Sequence, residues 1–330
     1  MSPITIIGGG PAGSAAALSA RSQGAAVRLF EKSTFPRHKV CGEFISPGAR
    51  EVLEDLGVWN AFEECGPPRI SRVALAFGAR HKQWRLSEPG FGMSRFQFDN
   101  LLLNQARERG AEVIHGHGEP AGATIVAHGR RESARGARLF GFKAHFEGPA
   151  DDAVSLYFFK SCYVGVSSVE GGRTNVCGLA PESVLRPNSF EIDPILVRNE
   201  PLFARIRPLS RVLDWMITGP LVFGQRFDSG AAGEYPVGDA LGFIDPFTGS
   251  GMLGALITGQ MAGRAAARGV SPEEYLGECR TALRGAYRAA AVFRAALRTG
   301  VADWLGPLIP GPVLLNLTRP KYTSGNEKNR

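Results

Sequence analysis

The chain has 330 residues, 44% hydrophobic and 21% charged, a balance that belongs to folded globular proteins and excludes disordered and fibrous ones. This length can bury one large core or two modest ones. The formal charge of +7 favours anionic partners such as phosphate-bearing cofactors, but no Lys/Arg run alternates with aromatics, so no nucleic-acid partner is expected. Five cysteines (Cys41, Cys65, Cys162, Cys177, Cys279) are scattered, with no CxxC pair. That pattern argues against a disulfide framework and a zinc site, so no metal is expected, and reduced thiols suggest a cytoplasmic protein. No apolar run reaches the ~18 residues of a membrane span, and the apolar start, broken at Gly8, reads as a strand and not as a signal peptide.

In chain order, residues 3–7 form a β-rich run that stops at Gly8-Gly9-Gly10-Pro11-Ala12-Gly13. An alanine-rich helical stretch (14–22) and a second strand (26–30) follow, and the strand ends at Glu31 with Lys32 behind it. Strand, glycine turn, helix, strand and acid in this order are the context of a dinucleotide-binding fingerprint. Gly8 permits the tight turn, Gly10 lets backbone approach a pyrophosphate, and Gly13 lets helix and strand pack closely. The helix that begins at Pro11 and Ala12 offers unpaired N–H groups and its positive dipole end to phosphate. Glu31 stands where a carboxylate accepts hydrogen bonds from ribose hydroxyls, and Lys32 is counted with it among the cofactor contacts.

Beyond a Pro/Gly-rich loop at 35–49, helical spacing returns at 49–56 and strand-like alternation at 73–77 and 83–86. A helix is expected over 96–109 and strands over 111–114 and 123–127. Short strands around Phe142 and at 154–159, 163–166 and 175–179 suggest a second sheet. The last long helix is marked by a capping box at Ser271, Pro272 and Glu274 and by an apolar stripe through Leu276, Cys279, Leu283, Tyr287, Ala290, Phe293 and Leu297, ending at Gly300. Arg280, Arg284, Arg288, Arg294 and Arg298 share its other face, which reads as solvated. Peripheral contact with an anionic membrane, aided by the apolar segment 304–317, is the alternative.

Three further stretches carry a family resemblance. Arg37-His38-Lys39-Val40-Cys41-Gly42-Glu43 follows the second strand, Ser94-Arg95-Phe96 with Asp99 and Leu102 opens a helix, and Tyr235-Pro236-Val237-Gly238-Asp239-Ala240-Leu241-Gly242 runs into Asp245-Pro246-Phe247-Thr248-Gly249-Ser250-Gly251. Together they resemble the superfamily of FAD-dependent oxidoreductases that contains aromatic-ring flavin hydroxylases, flavin halogenases and geranylgeranyl reductases, most nearly the last branch. The resemblance implies FAD, with Asp239 and Gly238 at the ribityl chain and Gly249, Gly251 and Met252 presenting backbone N–H groups to the flavin. It also makes Arg37 and Arg95 contacts of the phosphate or adenosine half. Cys41 would lie near the flavin on the substrate side, and Glu43, Pro246 and Phe247 join it as candidate catalytic positions.

Some family marks are missing. Geranylgeranyl reductases tend to carry Tyr-x-Trp-x-Phe-Pro where this chain reads Cys162-Tyr163-Val164-Gly165-Val166-Ser167-Ser168. Halogenases need a lysine some tens of residues after the Gly-Glu, and none stands between Lys39 and Lys82. The Asp-Gly of nicotinamide-binding hydroxylases appears as His128-Gly129, followed by Arg130, Ser133 and Arg135, so Gly129 is kept as a cofactor contact and NAD(P)H as the expected reductant. Only 115–122 remains where the family inserts a β-meander.

The expectation is therefore an α/β fold: a discontinuous Rossmann-like FAD-binding domain (1–69, 96–138, 226–270), a β-sheet substrate domain (70–95, 139–225) that makes the second part α+β, and a C-terminal helical segment (271–330). The expected activity is hydride transfer through flavin N5 at a carbon–carbon bond of an apolar or aromatic, isoprenoid- or polyketide-like molecule. Phe44, Trp84, Phe142, Phe146, Tyr157, Phe158, Phe159, Trp215 and Phe223 crowd the substrate half, and about a third of them are expected to line a pocket. A flavin-dependent monooxygenase and an electron-transfer flavoprotein are the alternatives; a flavin reductase or electron-donor protein would then be a partner.

Overall fold

The computed structural model describes residues 2–78, 80–130, 138–159, 162–221, 223–225, 233–298, 311 and 317–322. The chain opens with β1 (Ile4–Ile7), α1 (Pro11–Ser22) and β2 (Val27–Glu31), then β3 (Phe44–Ile45), α2 (Ala49–Asp55), α3 (Trp59–Glu64), β4 (Arg69–Phe77) and β5 (Arg80–Gly92). Next come α4 (Arg95–Glu108), β6 (Glu112–His115), β7 (Thr124–Val126), β8 (Leu139–Glu147), β9 (Ala153–Phe159), β10 (Cys162–Val169) and β11 (Arg173–Pro181). The last third holds α5 (Glu182–Leu185), α6 (Asp193–Leu196), α7 (Glu200–Ile206), β12 (Ser210–Leu221), β13 (Gly224–Gln225), β14 (Glu234–Pro236), β15 (Gly242–Phe243), α8 (Gly251–Arg268) and α9 (Pro272–Arg298).

Among the described residues, one sheet is parallel throughout, in the order β14-β7-β1-β2-β6. Its strands come from three separated parts of the chain, so the Rossmann-like unit is discontinuous, and 116–123 joins β6 to β7 without a strand. The larger sheet runs β12-β8-β11-β10-β9-β4-β5-β3 and is antiparallel except where β4 meets β9. It starts earlier than the sequence suggests, because Phe44–Ile45 already pairs with Phe91 and Gly92 of β5.

Two devices lock the parallel sheet to its helices. Gly8 has φ +111, and a Cβ there would lie 2.4 Å from the Ala127 carbonyl oxygen; one at Gly13 would lie 1.8 Å from that of Gly8. Helix α8 crosses α1 equally closely, since a Cβ at Gly259 would stand 2.2 Å from the Ala12 oxygen. Small residues are thus required where backbone meets backbone.

The larger sheet packs through apolar side chains on both faces, and one face also buries the polar Lys143, His145 and Asn175. Phe140, Phe142, Ala144, Phe146, Val164, Val166 and Val176 pack under α5–α7 through Leu185, Ile195, Leu196, Leu202 and Ile206. On the opposite face Tyr163, Leu179 and Leu221 meet Phe247 and, from α9, Phe293. Period-2 alternation produces this split. It divides the aromatics expected to crowd a substrate half: Phe142, Phe146, Tyr157 and Trp215 belong to the helix-covered core, whereas Phe158, Phe223 and Trp84 flank the Phe247 side.

Helix α9 begins as expected, with the Ser271 hydroxyl accepting the Glu274 N–H at 3.2 Å. Arg280, Arg284 and Arg288 are exposed, but Arg294 leaves the solvated face: it pairs with Asp245 at 2.7 Å and lies 4.0 Å from the Phe223 ring centroid. Its place in the helical turn borders the Leu276 line, on the edge of the buried stripe. The side chains of Leu297 and Arg298, and Gly300 with most of 304–317, lie outside the described residues. No described helix is long and apolar enough to cross a membrane.

Candidate functional site: a cofactor crevice above the parallel sheet

The crevice is built around the turn between β1 and α1. Pro11 occupies the first turn of α1, whose Gly10 N-cap makes no side-chain cap bond. A Cβ at Gly10 would approach only the Arg95 guanidinium, at 3.9 Å, so this backbone faces open space toward a cation. Glu31 is engaged from within: Oε2 accepts the Gly9 N–H and Oε1 the Ser33 N–H, each at 2.8 Å. A carboxylate has about four acceptor sites, so these bonds orient it without exhausting it. Lys32 is exposed beside it.

Three cations converge above the turn. Arg37 stands 3.8 Å from Glu31 and 5.1 Å from the Phe35 ring centroid, with its Nε buried and unpartnered among the described residues. Arg95 starts α4 behind the Ser94 cap and forks onto the fully buried Asp99, with Nη2 donating to Oδ2 at 2.7 Å. Burial works against the Arg95 charge, but Asp99 more than compensates, so the guanidinium stays protonated; it also reaches the Cys41 thiol. Lys39 joins them and is absent from the sequence-based candidates, although it lies inside the 37–43 motif. Burial, Arg95 and Arg37 lower its pKa to about 8, against the pull of Asp99 and Asp239.

Asp239 lies in the short turn Gly238–Ala240, where Gly238 has φ +55 and donates its N–H to the Thr258 hydroxyl at 3.0 Å. Burial raises the Asp239 pKa despite Arg130, Arg95 and Lys39, and its carboxylate makes no hydrogen bond among the described residues. Pro246–Thr248 forms another turn, ended by Gly249 at φ +65, and leads into Gly251 and Met252 at the start of α8. No side chain caps that helix N-terminus. Phe247 is buried, 4.6 Å from Phe293 and 6.3 Å from Tyr163 between ring centroids, while Pro246 is half-buried. Gly129 has φ +80 and nothing within 4 Å of where a Cβ would stand; Ser133 and Arg135 lie outside the described residues.

Cys41 is half-buried where this crevice meets the large sheet, its carbonyl accepting the Asn175 Nδ2–H at 3.0 Å; on that sheet burial pushes the Tyr163 hydroxyl and the Cys177 thiol toward their protonated forms. Glu43 does not face the crevice. It is fully buried at φ +54, and its carboxylate is held by the Arg95 N–H at 2.7 Å, by His145 Nε2 at 2.7 Å and by Lys143 Nζ. Burial would raise its pKa; His145 and Lys143 overcome that and lower it. Neither partner is suggested by the sequence, because alternating polar residues on a strand ordinarily mark a water-facing side.

An unpaired guanidinium N–H, an acid without hydrogen-bonding donors, an uncapped helix start and an open glycine turn are complementary to a phosphate-bearing dinucleotide with a polyhydroxyl chain. Residues 1–132 match the family described as FAD binding domain. This part of the chain is an FAD-binding domain. The residues above fit that cofactor: Gly10 and Arg37 would hold its phosphates, Asp239 its ribityl hydroxyls, and Gly251 and Met252 the flavin carbonyl edge.

Around the FAD-binding domain, sequence likeness is partly local and partly chain-long. A pyrrole-carbonyl carrier-protein brominase of Pseudoalteromonas luteoviolacea is 31% identical over 115 residues, spanning 34% of this chain and 28% of the brominase. The chain thus covers under a third of that relative. Digeranylgeranylglycerophospholipid reductase 1 of Methanopyrus kandleri is 26% identical over 82% of both chains. A solved flavin-dependent brominase superposes with a TM-score of 0.79 at 19% identity over 96% of this chain and 93% of its own, a likeness of fold. The resemblance to the FAD-dependent superfamily of halogenases and geranylgeranyl reductase-like proteins is borne out.

Proposed function

We propose that the protein is an FAD-dependent oxidoreductase that adds hydride and a proton across a carbon–carbon double bond of an apolar, isoprenoid- or polyketide-like substrate. The observation that carries this reading is the placement of Cys41 between the two halves: its carbonyl accepts the Asn175 Nδ2–H of the large sheet at 3.0 Å, and its Sγ accepts the N–H of Glu43, whose carboxylate holds the Arg95 N–H at 2.7 Å on the cofactor side. Bound FAD, reduced by a nicotinamide or a donor protein, supplies the hydride. The chain's own residues then hold the cofactor through the Arg37, Arg95 and Asp239 contacts and exclude water with the Tyr163–Phe247–Phe293 wall. The Cys41 Sγ–H gives its proton to the carbon opposite hydride attack, and solvent reprotonates the thiolate. Phe247 belongs to that wall, and Glu43 supports the loop that carries Cys41. The chain-long likeness to the archaeal lipid reductase supports this reading.

A second reading is oxygen-dependent chemistry, monooxygenation or halogenation, favoured by the brominase relatives. Halogenation is disfavoured because no lysine lies between Lys39 and Lys82, and Lys143 is fully buried against Glu43. The test is to mix reduced holoprotein with prenyl-chain lipids without oxygen. A product that has gained two hydrogens is expected. Product that forms only with oxygen and carries an oxygen atom from labelled O2, or a halogen from added bromide, would overturn the reductase reading.

A further inference from the structure

We propose that Lys143, His145 and Asn175, on one face of the large sheet, form a polar clamp that positions the 39–43 loop, and with it Cys41 and Arg95, against the FAD site. Lys143 and His145 alternate along β8, and Asn175 on β11 stands directly opposite His145 in the register. Lys143 Nζ donates to the Lys39 carbonyl at 3.2 Å and to the Glu43 carboxylate. His145 bonds the other Glu43 oxygen, and Asn175 Nδ2 donates to the Cys41 carbonyl at 3.0 Å. Gly141, two residues before Lys143, completes the seat: a Cβ there would come within 3.2 Å of Val40 Cγ1.

All three polar side chains are buried, so their loss of water is tolerable only because the loop supplies partners. Asn175 Oδ1 has no partner among the described residues, so the loop uses this amide as a donor alone. The loop in turn carries a left-handed non-glycine residue at Glu43, a conformation that persists where surroundings over-determine it. Glu43 passes the constraint on: it accepts the Arg95 N–H through its side chain and the Met93 N–H at 3.1 Å through its carbonyl, and donates its own N–H to Cys41 Sγ at 3.5 Å. Thus sheet residues about 100 positions away in sequence fix the first turn of α4 and the thiol together. These are positioning residues. The inference needs the FAD site and is independent of which reaction the flavin serves.

The test is thiol alkylation of FAD-loaded protein by iodoacetamide, read by peptide mass spectrometry, with Cys65, Cys162, Cys177 and Cys279 as internal standards. Asn175→Ala should raise the Cys41 rate by about tenfold, the scale of one ordinary hydrogen bond, leave the other four rates unchanged, and weaken FAD binding in a fluorescence titration. A double variant, Glu43→Gln with Lys143→Met, removes opposite charges together and should give the same selective rise. An unchanged Cys41 rate in both variants would overturn the clamp. So would a uniform rise at all five cysteines, since that reports a loosened fold.

Discussion

Burial gives Asp239 a raised proton affinity that Arg130, Arg95 and Lys39 only partly offset. Its folded pKa therefore exceeds its unfolded value, and the folded state binds more protons between the two. In that window the FAD-free protein loses stability as pH rises. FAD hydroxyls would reverse the balance by donating to the ionised form. Asp239→Asn should accordingly leave the FAD-free protein at least as heat-stable as wild type, while FAD binding weakens by about tenfold or more, because charge-assisted hydrogen bonds are worth about 1.5–3 kcal/mol. Thermal melts and flavin fluorescence titrations check the two halves separately; equal FAD affinity in both proteins would remove Asp239 from the site. At Cys41 the expected result is kinetic. Cys41→Ala should slow substrate-dependent flavin reoxidation by roughly 10²-fold with FAD binding little changed, and Cys41→Ser should fall between the two.

The pairing of α1 with α8 makes the phosphate turn sensitive to packing far from any phosphate. Gly259→Ala would place a methyl 2.2 Å from the Ala12 carbonyl oxygen, so the helices must separate. The expected cost is about 1–3 kcal/mol or more in urea unfolding, accompanied by poorer FAD retention. Gly277 and Gly285 on α9 have nothing within 4 Å, and alanine at either should stabilise by about 0.5–1 kcal/mol. The elements themselves were legible to different degrees. The β1–α1–β2 unit, the Ser94 start of α4 and the Ser271 start of α9 can be read from caps, glycines and periodicity, because local chemistry dictates them. Helices α5–α7 span 4, 4 and 7 residues, too few to show a period, and owe their form to the sheet beneath. Lys143, His145 and Asn175 were hidden for another reason: their partners lie on a loop that only the tertiary fold brings to them.

At the scale of the molecule, Glu43 has the opposite sign from Asp239. His145 and Lys143 hold its folded pKa below the ordinary 4.5, so its contribution to stability is complete above that value and lost as pH falls through the folded pKa. Acid unfolding followed by circular dichroism should show a shallower acid limb in the Glu43→Gln, Lys143→Met double variant than in wild type. An identical limb would mean that other carboxylates dominate. FAD at 100 times its dissociation constant should stabilise the whole chain by about 2.7 kcal/mol, because the cofactor binds only where the separated strands and α8 have come together.

The clamp also imposes an order of events during folding. The glycine turn of β1–α1 is local and can form early, but the loop that carries Cys41 waits for β8 and β11, whose clamping residues lie 100 and 134 positions from their loop partners Glu43 and Cys41. Closing so long a loop precedes any reward from its contacts, and a mostly antiparallel sheet of eight strands assembles slowly. In refolding from denaturant, helix content should therefore return before flavin fluorescence is quenched, and during synthesis the ribosome must release the large sheet before the nascent chain can retain its cofactor.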